Sequence, residues 1–399
     1  MQRQPPPSPA RPTPRPLSRR RKAAFALAAA LLLLLALEAG ARLWLVYDRH
    51  LPAARPDLAA LTYYPELRPL LLADPPPGAD TCDVLLLGGS VLFEYYGGPA
   101  LHLEAALEQR LHRPVRVWNL GRPSHASRDS LIKYRWLDSL RFDAVVVYHA
   151  INELRTNHAP ADRFRLDYDH VPWYREVNAL AGHPAGGFSR ACALPLLVRY
   201  APLWLERQLR PRGPLAPDAM PGPEDLIHGD DIKSTASLAA NLSEIAAIAR
   251  RRGDPLLLLT YAWWLPDGYS DEDLLHDREL AIARAEARPP TVDGPRRLPF
   301  ADPLYADFAQ PVSIWGRREQ LVKGLSLHNE VIRAVARDHA IPLVDLAARM
   351  GDSGDYFIDI CHLSPAGVAR LVDGILDGLT LLSFPAAPGD PARQPAHST

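Results

Sequence analysis

The chain has 399 residues, a formal net charge of −1 and a hydrophobic fraction of 47%, enough for one large domain or two ordinary ones with a sizeable core. No long basic run occurs outside the N-terminus, which argues against a nucleic-acid partner, and three cysteines cannot all pair, which excludes a disulfide framework. The 41 prolines cluster at 4–16, 75–77, 211–223 and 385–395, where they mark tails and surface loops.

In chain order, residues 1–22 carry Arg3, Arg11, Arg15, Arg19, Arg20, Arg21 and Lys22 without an acid, and an apolar run from Ala23 to Leu37 follows. The basic flank belongs in the cytoplasm and the body outside it. One reading makes 23–47 a single transmembrane anchor, with Glu38 and Arg42 near its outer face and Trp44 and Tyr47 at the interface. The other makes Ala23–Leu37 a signal-peptide core, with Ala39-Gly40-Ala41 as the cleavage site and a secreted product. Resumption of the apolar pattern after Arg42 favours the anchor. Residues 48–80 lack periodicity and read as a stalk.

From 81 to 383 short apolar strands alternate with amphipathic helices. The strands are Asp83–Gly88, Val115–Leu120, Asp143–Tyr148, Pro255–Thr260 and Ile341–Asp345. The helices span Pro99–His112, Ala126–Leu140, Thr235–Arg252 and Arg317–His339, and a last one starts at Ser364-Pro365 with Val368, Leu371, Val372, Ile375 and Leu379 on one stripe. This order predicts an α/β fold: a three-layer α/β/α sandwich around a five-stranded, parallel, doubly wound sheet of the flavodoxin-like type. Insertions at about 153–234 and 262–316 leave the carboxyl edge of the sheet, where they are expected to roof the site. Residues 384–399 read as a disordered tail. Cys82 and Cys361 fall at opposite ends of the sheet, beyond disulfide reach, while Cys192 could pair with either.

The same carboxyl edge collects the candidate chemistry. Leu85-Leu86-Leu87-Gly88-Gly89-Ser90 is a buried strand running into a turn that exposes a hydroxyl, and Asp359-Ile360-Cys361-His362 puts a carboxylate three residues before an imidazole. Ser90 as nucleophile, His362 as base and Asp359 as orienter are the parts of acyl transfer. The alternative for Gly88-Gly89-Ser90 alone is a phosphate-cradling turn, but no Gly-Lys-Ser/Thr run or spaced dinucleotide fingerprint accompanies it. Gly121 and Asn152, each just beyond another strand, are the candidate oxyanion donors together with the Ser90 amide.

These segments resemble the conserved blocks of the SGNH (GDSL-type) hydrolases, and the single anchor before such a domain also resembles bacterial, membrane-anchored members of the group. Gly88-Gly89-Ser90 resembles the serine block, with Gly89 in place of the usual aspartate. Asn119-Leu120-Gly121 resembles the glycine block, and Ala150-Ile151-Asn152-Glu153 the Gly-x-Asn-Asp block, with Ala150 for glycine and Glu153 for aspartate. Asp359-Ile360-Cys361-His362 matches the Asp-x-x-His block without departure. The resemblance implies an ester hydrolase with Ser90, His362 and Asp359 as triad and Ser90, Gly121 and Asn152 as oxyanion hole.

Other residues carry weaker signals. His125 and His149 lie near the same edge as substrate-contact candidates, with polar loop roles as the alternative. Trp263 and Trp264, with Tyr95 and Tyr96, are candidates for a substrate platform or for packing. No zinc or calcium spacing occurs, and the sequon at Asn241 falls in a helix. The expected protein is an extracytoplasmic serine esterase that needs no cofactor and acts on an acyl ester, for which an O-acetylated envelope polysaccharide is one candidate. An O-acyltransferase with the same triad and a non-catalytic envelope scaffold are the alternatives.

Overall fold

The computed structural model describes residues 18–48, 53–72, 81–157, 159–182, 191–209, 229–266 and 317–382, with positions 50, 268, 270 and 315. The sheet is built from β1 (Cys82–Gly88), β2 (Val115–Asn119), β3 (Ala144–Tyr148), β4 (Leu256–Leu259) and β5 (Leu343–Val344). All five are parallel, in the order β2-β1-β3-β4-β5, the doubly wound topology expected.

Strands β1, β3 and β4 are apolar at nearly every position because both faces are covered. Leu85, Leu87, Val145, Val147, Leu256 and Leu258 face a core shared with α4 (Ser127–Trp136) and α7 (Ser234–Arg252). Val84, Leu86, Val146, Leu257, Leu259 and Val344 face a second core shared with α3 (Pro99–Leu111), α9 (Leu346–Met350) and α10 (Pro365–Leu381). Helix α8 (Arg318–Asp338) contributes to both cores, Ile332 to the first and Leu325 to the second. Ser364 caps α10 as expected, its hydroxyl accepting the Gly367 amide. The helix expected over Ala126–Leu140 ends at Trp136, and β5 is only two residues long.

Helix α1 (Arg19–Tyr47) is, among the described residues, one helix long and apolar enough to cross a membrane. Its C-terminal end is folded into the domain. Ala41 and Leu45 are buried, and Trp44 stacks on Tyr200 at 5.0 Å. Glu38 and Arg42 form a 2.7 Å ion pair. The Glu38 carboxylate accepts the amides of Ala193 and Leu194 (3.0 and 2.8 Å) at the start of α6 (Leu194–Leu209). The Arg42 guanidinium donates to the carbonyls of Ala53 (2.6 Å) and Ala191. Both charges therefore find partners in protein.

Two expectations change. The segment 56–71, read as stalk, folds into short 3-10 turns and α2 (Arg68–Leu71), with Leu58, Leu61, Tyr63, Tyr64, Leu67 and Leu70 buried in the core. Its apolar residues lack a strand or helix period because the turns follow neither, so no pattern announced them. The described part of the first insertion, including α5 (Pro172–Leu180) and α6, packs beside α4 against this segment and α1 rather than over Ser90. Of the second insertion, 271–314 lies outside the described residues. All three cysteines are free thiols, Cys82 and Cys361 buried and Cys192 half-buried.

Candidate active site

Ser90 follows Gly88-Gly89 at the end of β1 and opens a 3-10 turn, Ser90–Leu92. The loop leading into α10 brings His362 to it. The Ser90 hydroxyl lies 2.8 Å from His362 Nε2, and His362 Nδ1 lies 2.6 Å from Asp359 Oδ2. Asp359 Oδ1 accepts the backbone amides of Cys361 (2.9 Å) and His362 (2.8 Å), which pins the carboxylate. With Asp359 accepting at Nδ1–H, the imidazole presents Nε2 as acceptor for the serine proton, the tautomer a general base requires.

The electrostatics follow. Burial raises the Asp359 pKa, but His362 and the two amides outweigh it and leave the carboxyl below its ordinary value. Burial also works to depress His362, but Cys361 and Asp359 more than offset it and raise the imidazole well above 6.5. Burial pushes the Cys361 thiol up, so it is neutral near pH 7 and Asp359 is the charge that acts there. Tyr96 stacks on the imidazole, ring centroids 3.7 Å apart.

Asn152, in the turn after β3, points its amide between loops, donating 2.9 Å to the His125 carbonyl and leaving its second N–H available. Gly89 leaves room for it: a Cβ at 89 would stand 2.9 Å from Asn152 Nδ2 and 3.3 Å from the His125 carbonyl, so the Asn152 amide would have to shift. The Ser90 amide is the first of its turn and has no acceptor within it. Gly121 sits against Leu92 and the Gly89 carbonyl, but its N–H donates to Asn119 Oδ1 at 2.8 Å. To serve an oxyanion it must share or leave that acceptor.

Glu153 replaces the other expected aspartate and is fully buried. It accepts from the Ser127 amide at the start of α4 and from the Tyr168 hydroxyl, so it ties the Asn152 turn to α4. Burial pushes its pKa up to about 7.

The histidines proposed as substrate contacts are internal. His125 faces Lys133, and His149 bonds Ser130 at 2.7 Å; both side chains are enclosed, which removes them from the substrate surface. Trp263 and Trp264 are half-buried against the core beside the triad loop; the Trp264 amide donates to the Ile360 carbonyl at 3.0 Å and its ring covers Gly354. Asn241 is buried in α7 and donates to Ser127 Oγ. Among the described residues, Asp359, Cys361 and His362 lie close enough together to hold a metal, but Asp359 is committed to the imidazole and two amides. Lys133 and Glu66, buried under the Gly121 loop, carried no sequence signal: each reads as an ordinary surface charge until the fold encloses it.

The sequence matches no family model and no curated protein. Among solved structures, the chain is similar to a lipase/acylhydrolase from Enterococcus faecalis, at 15% identity over 76% of this chain and 99% of that one, TM-score 0.34. It is also similar to Axe2, an acetylxylan esterase from Geobacillus stearothermophilus, at 13% identity over 78% and 98% of the two chains, TM-score 0.35. A GDSL-like lipase from Bacteroides thetaiotaomicron matches at 11% identity over 75% and 88%, TM-score 0.36. What the site can do follows from its own residues.

Proposed function

We propose that the protein is a membrane-anchored, extracytoplasmic serine esterase of the SGNH type. The observation that carries this reading is the Ser90–His362–Asp359 relay, at 2.8 and 2.6 Å. Ser90 Oγ attacks the ester carbonyl while His362 Nε2 takes its proton. The Ser90 amide, the free N–H of Asn152 and the Gly121 amide receive the developing oxyanion. Collapse of the tetrahedral intermediate expels the alcohol, which takes the proton from His362, and an acyl-Ser90 ester remains. Water, deprotonated by His362, then releases the acid and regenerates Ser90.

The substrate proposed is a small acyl ester, such as an O-acetyl group on an envelope glycan, flanked by Tyr95, Tyr96, Trp263 and Trp264. The outward placement rests on the basic flank before α1. Hydrolysis of p-nitrophenyl acetate and octanoate, wild type beside Ser90→Ala, tests the reading. Turnover that vanishes in the variant and prefers acetate supports it; octanoate preference removes the small-acyl substrate. A wild type that neither turns over nor reacts with a fluorophosphonate at Ser90 removes the esterase reading. Acetyl transfer to an added sugar in place of hydrolysis would make the chain a transferase.

A further inference from the structure

Beneath the candidate oxyanion loop lies an ion pair that the triad does not use. Lys133, on α4, is completely buried, and Glu66, from the segment after α1, is nearly so. The Lys133 ammonium donates to the Leu120 carbonyl and to His125 Nδ1, each at 2.7 Å, and forms an ion pair with Glu66 Oε1 at 2.6 Å. Burial works to raise Glu66, but the charges of Lys133 and Arg122 outweigh it and keep the carboxyl below its ordinary value. Burial and Lys133 hold His125 well below its ordinary pKa, so the neutral ring accepts from Lys133 at Nδ1.

Two of these contacts bear on the oxyanion donors. The Leu120 carbonyl and the Gly121 N–H belong to one planar trans peptide, so they point in opposite directions. Drawing the carbonyl inward to Lys133 turns the Gly121 N–H the opposite way, onto Asn119 Oδ1, the acceptor it shares with or leaves for an oxyanion, and a cation on the carbonyl oxygen polarises the amide into a stronger donor. At the other end of the loop, His125 is held through its ring while its carbonyl receives the Asn152 amide at 2.9 Å. One ammonium thus grips both ends of the loop from residue 120 to residue 125, and the carboxylate that balances it comes from a segment outside the sheet.

We propose that Lys133, held by Glu66, is a positioning residue for the oxyanion hole: it orients the Leu120–Gly121 peptide and, through His125, the Asn152 side chain. The proposal rests on the esterase reading above. It is distinct from the triad, because neither Lys133 nor Glu66 touches Ser90, His362 or Asp359.

The test is steady-state hydrolysis of p-nitrophenyl acetate by the full chain, comparing wild type, Lys133→Met and Glu66→Gln, with circular dichroism and melting curves for each. Lys133→Met is expected to lower kcat roughly 10²-fold, the scale of losing one oxyanion donor, with KM little changed. The acidic limb of its pH profile stays where the wild type has it, since the His362–Asp359 pair is intact. Glu66→Gln keeps the shape but removes the counter-charge, and is expected to lower kcat roughly tenfold at unchanged KM. A folded Lys133→Met with wild-type kcat, or with a raised KM alone, overturns the proposal while leaving the esterase standing. Should Lys133→Met fail to fold, the near-isosteric Glu66→Gln decides in the same way: reduced kcat supports, unchanged kcat overturns. A wild type without esterase activity or Ser90 labelling removes both readings together.

Discussion

The Tyr96 ring lies almost parallel to the imidazole of His362, with centroids 3.7 Å apart and planes 12° from coplanar. The imidazole is thus clamped on its face by an aromatic ring, at one edge by Asp359 and at the other by Ser90. Burial raises the Tyr96 pKa, so the phenol stays neutral and its ring quadrupole favours the imidazolium that forms on proton transfer. Tyr96→Leu is expected to cost about 1 kcal/mol in the transition state, roughly fivefold in kcat/KM, and to lower the apparent pKa of the base. Tyr96→Phe keeps the face and should keep both. Equal losses in the two variants would point to the hydroxyl instead.

Because the His362 pKa is raised well above 6.5, kcat/KM should climb with pH through an apparent pKa above that value. Stability runs the other way. A raised folded pKa contributes stability that is fully present below 6.5 and is lost as pH rises through the folded pKa. Asp359→Asn should lower kcat about 10⁴-fold by presenting the wrong tautomer, and shift the limb down. A pH–rate series on both proteins checks this.

Gly89 has no room for a methyl group. In Gly89→Ala the new Cβ would stand 2.9 Å from Asn152 Nδ2, so the amide must turn away from the oxyanion. A loss of roughly 10²-fold in kcat is expected, with KM and the melting temperature much less affected. Asn152→Ala should show a loss of the same order, and the double variant should lose little more.

Glu153 supplies a pH test of the fold itself. Its pKa of about 7 lies above the unfolded value of 4.5, so the folded state retains its proton longer than the unfolded one. By linkage, its contribution is present below pH 4.5 and is lost as pH rises towards 7. Glu153→Gln cannot ionise. Its melting temperature relative to wild type should therefore rise between pH 5 and pH 8, as read by thermal denaturation across that range.

The C-terminal end of α1 is built into the domain, so the anchor reading predicts a mature protein that still contains residues 23–47. Intact mass of the membrane fraction, with carbonate extraction, measures this. Cleavage at Ala39-Gly40-Ala41 would discard Glu38, the acceptor for two amides at the start of α6. Glu38→Ala is expected to destabilise by about 1–2 kcal/mol, as loss of a helix cap does.

Strand and helix order, the parallel sheet and the edge where the candidate residues meet were legible in the chain. Period and boundary residues are local properties: an all-apolar β1 between polar flanks is a buried strand wherever it occurs, and Ser364-Pro365 starts a helix on its own chemistry. Ser90, His362 and Asp359 were legible for a related reason, since a doubly wound sheet sends the residues after its strands to one edge. The enclosed roles of His125 and His149 were not, because whether a loop histidine meets solvent or a lysine depends on which element packs beneath it.

The sequence by itself determined which residues could perform acyl transfer and which edge of the sheet would hold them, because both follow from residue chemistry and local periodicity. Only the tertiary structure decided how those groups are held. It laid Tyr96 on His362, let Gly89 admit Asn152, closed Glu38 and Arg42 onto the start of α6, and buried the Glu66–Lys133 pair beneath the loop from 120 to 125. Each is a contact between distant segments whose partners have no local preference for one another. Their strength comes from removal from water, which no run of neighbouring residues encodes.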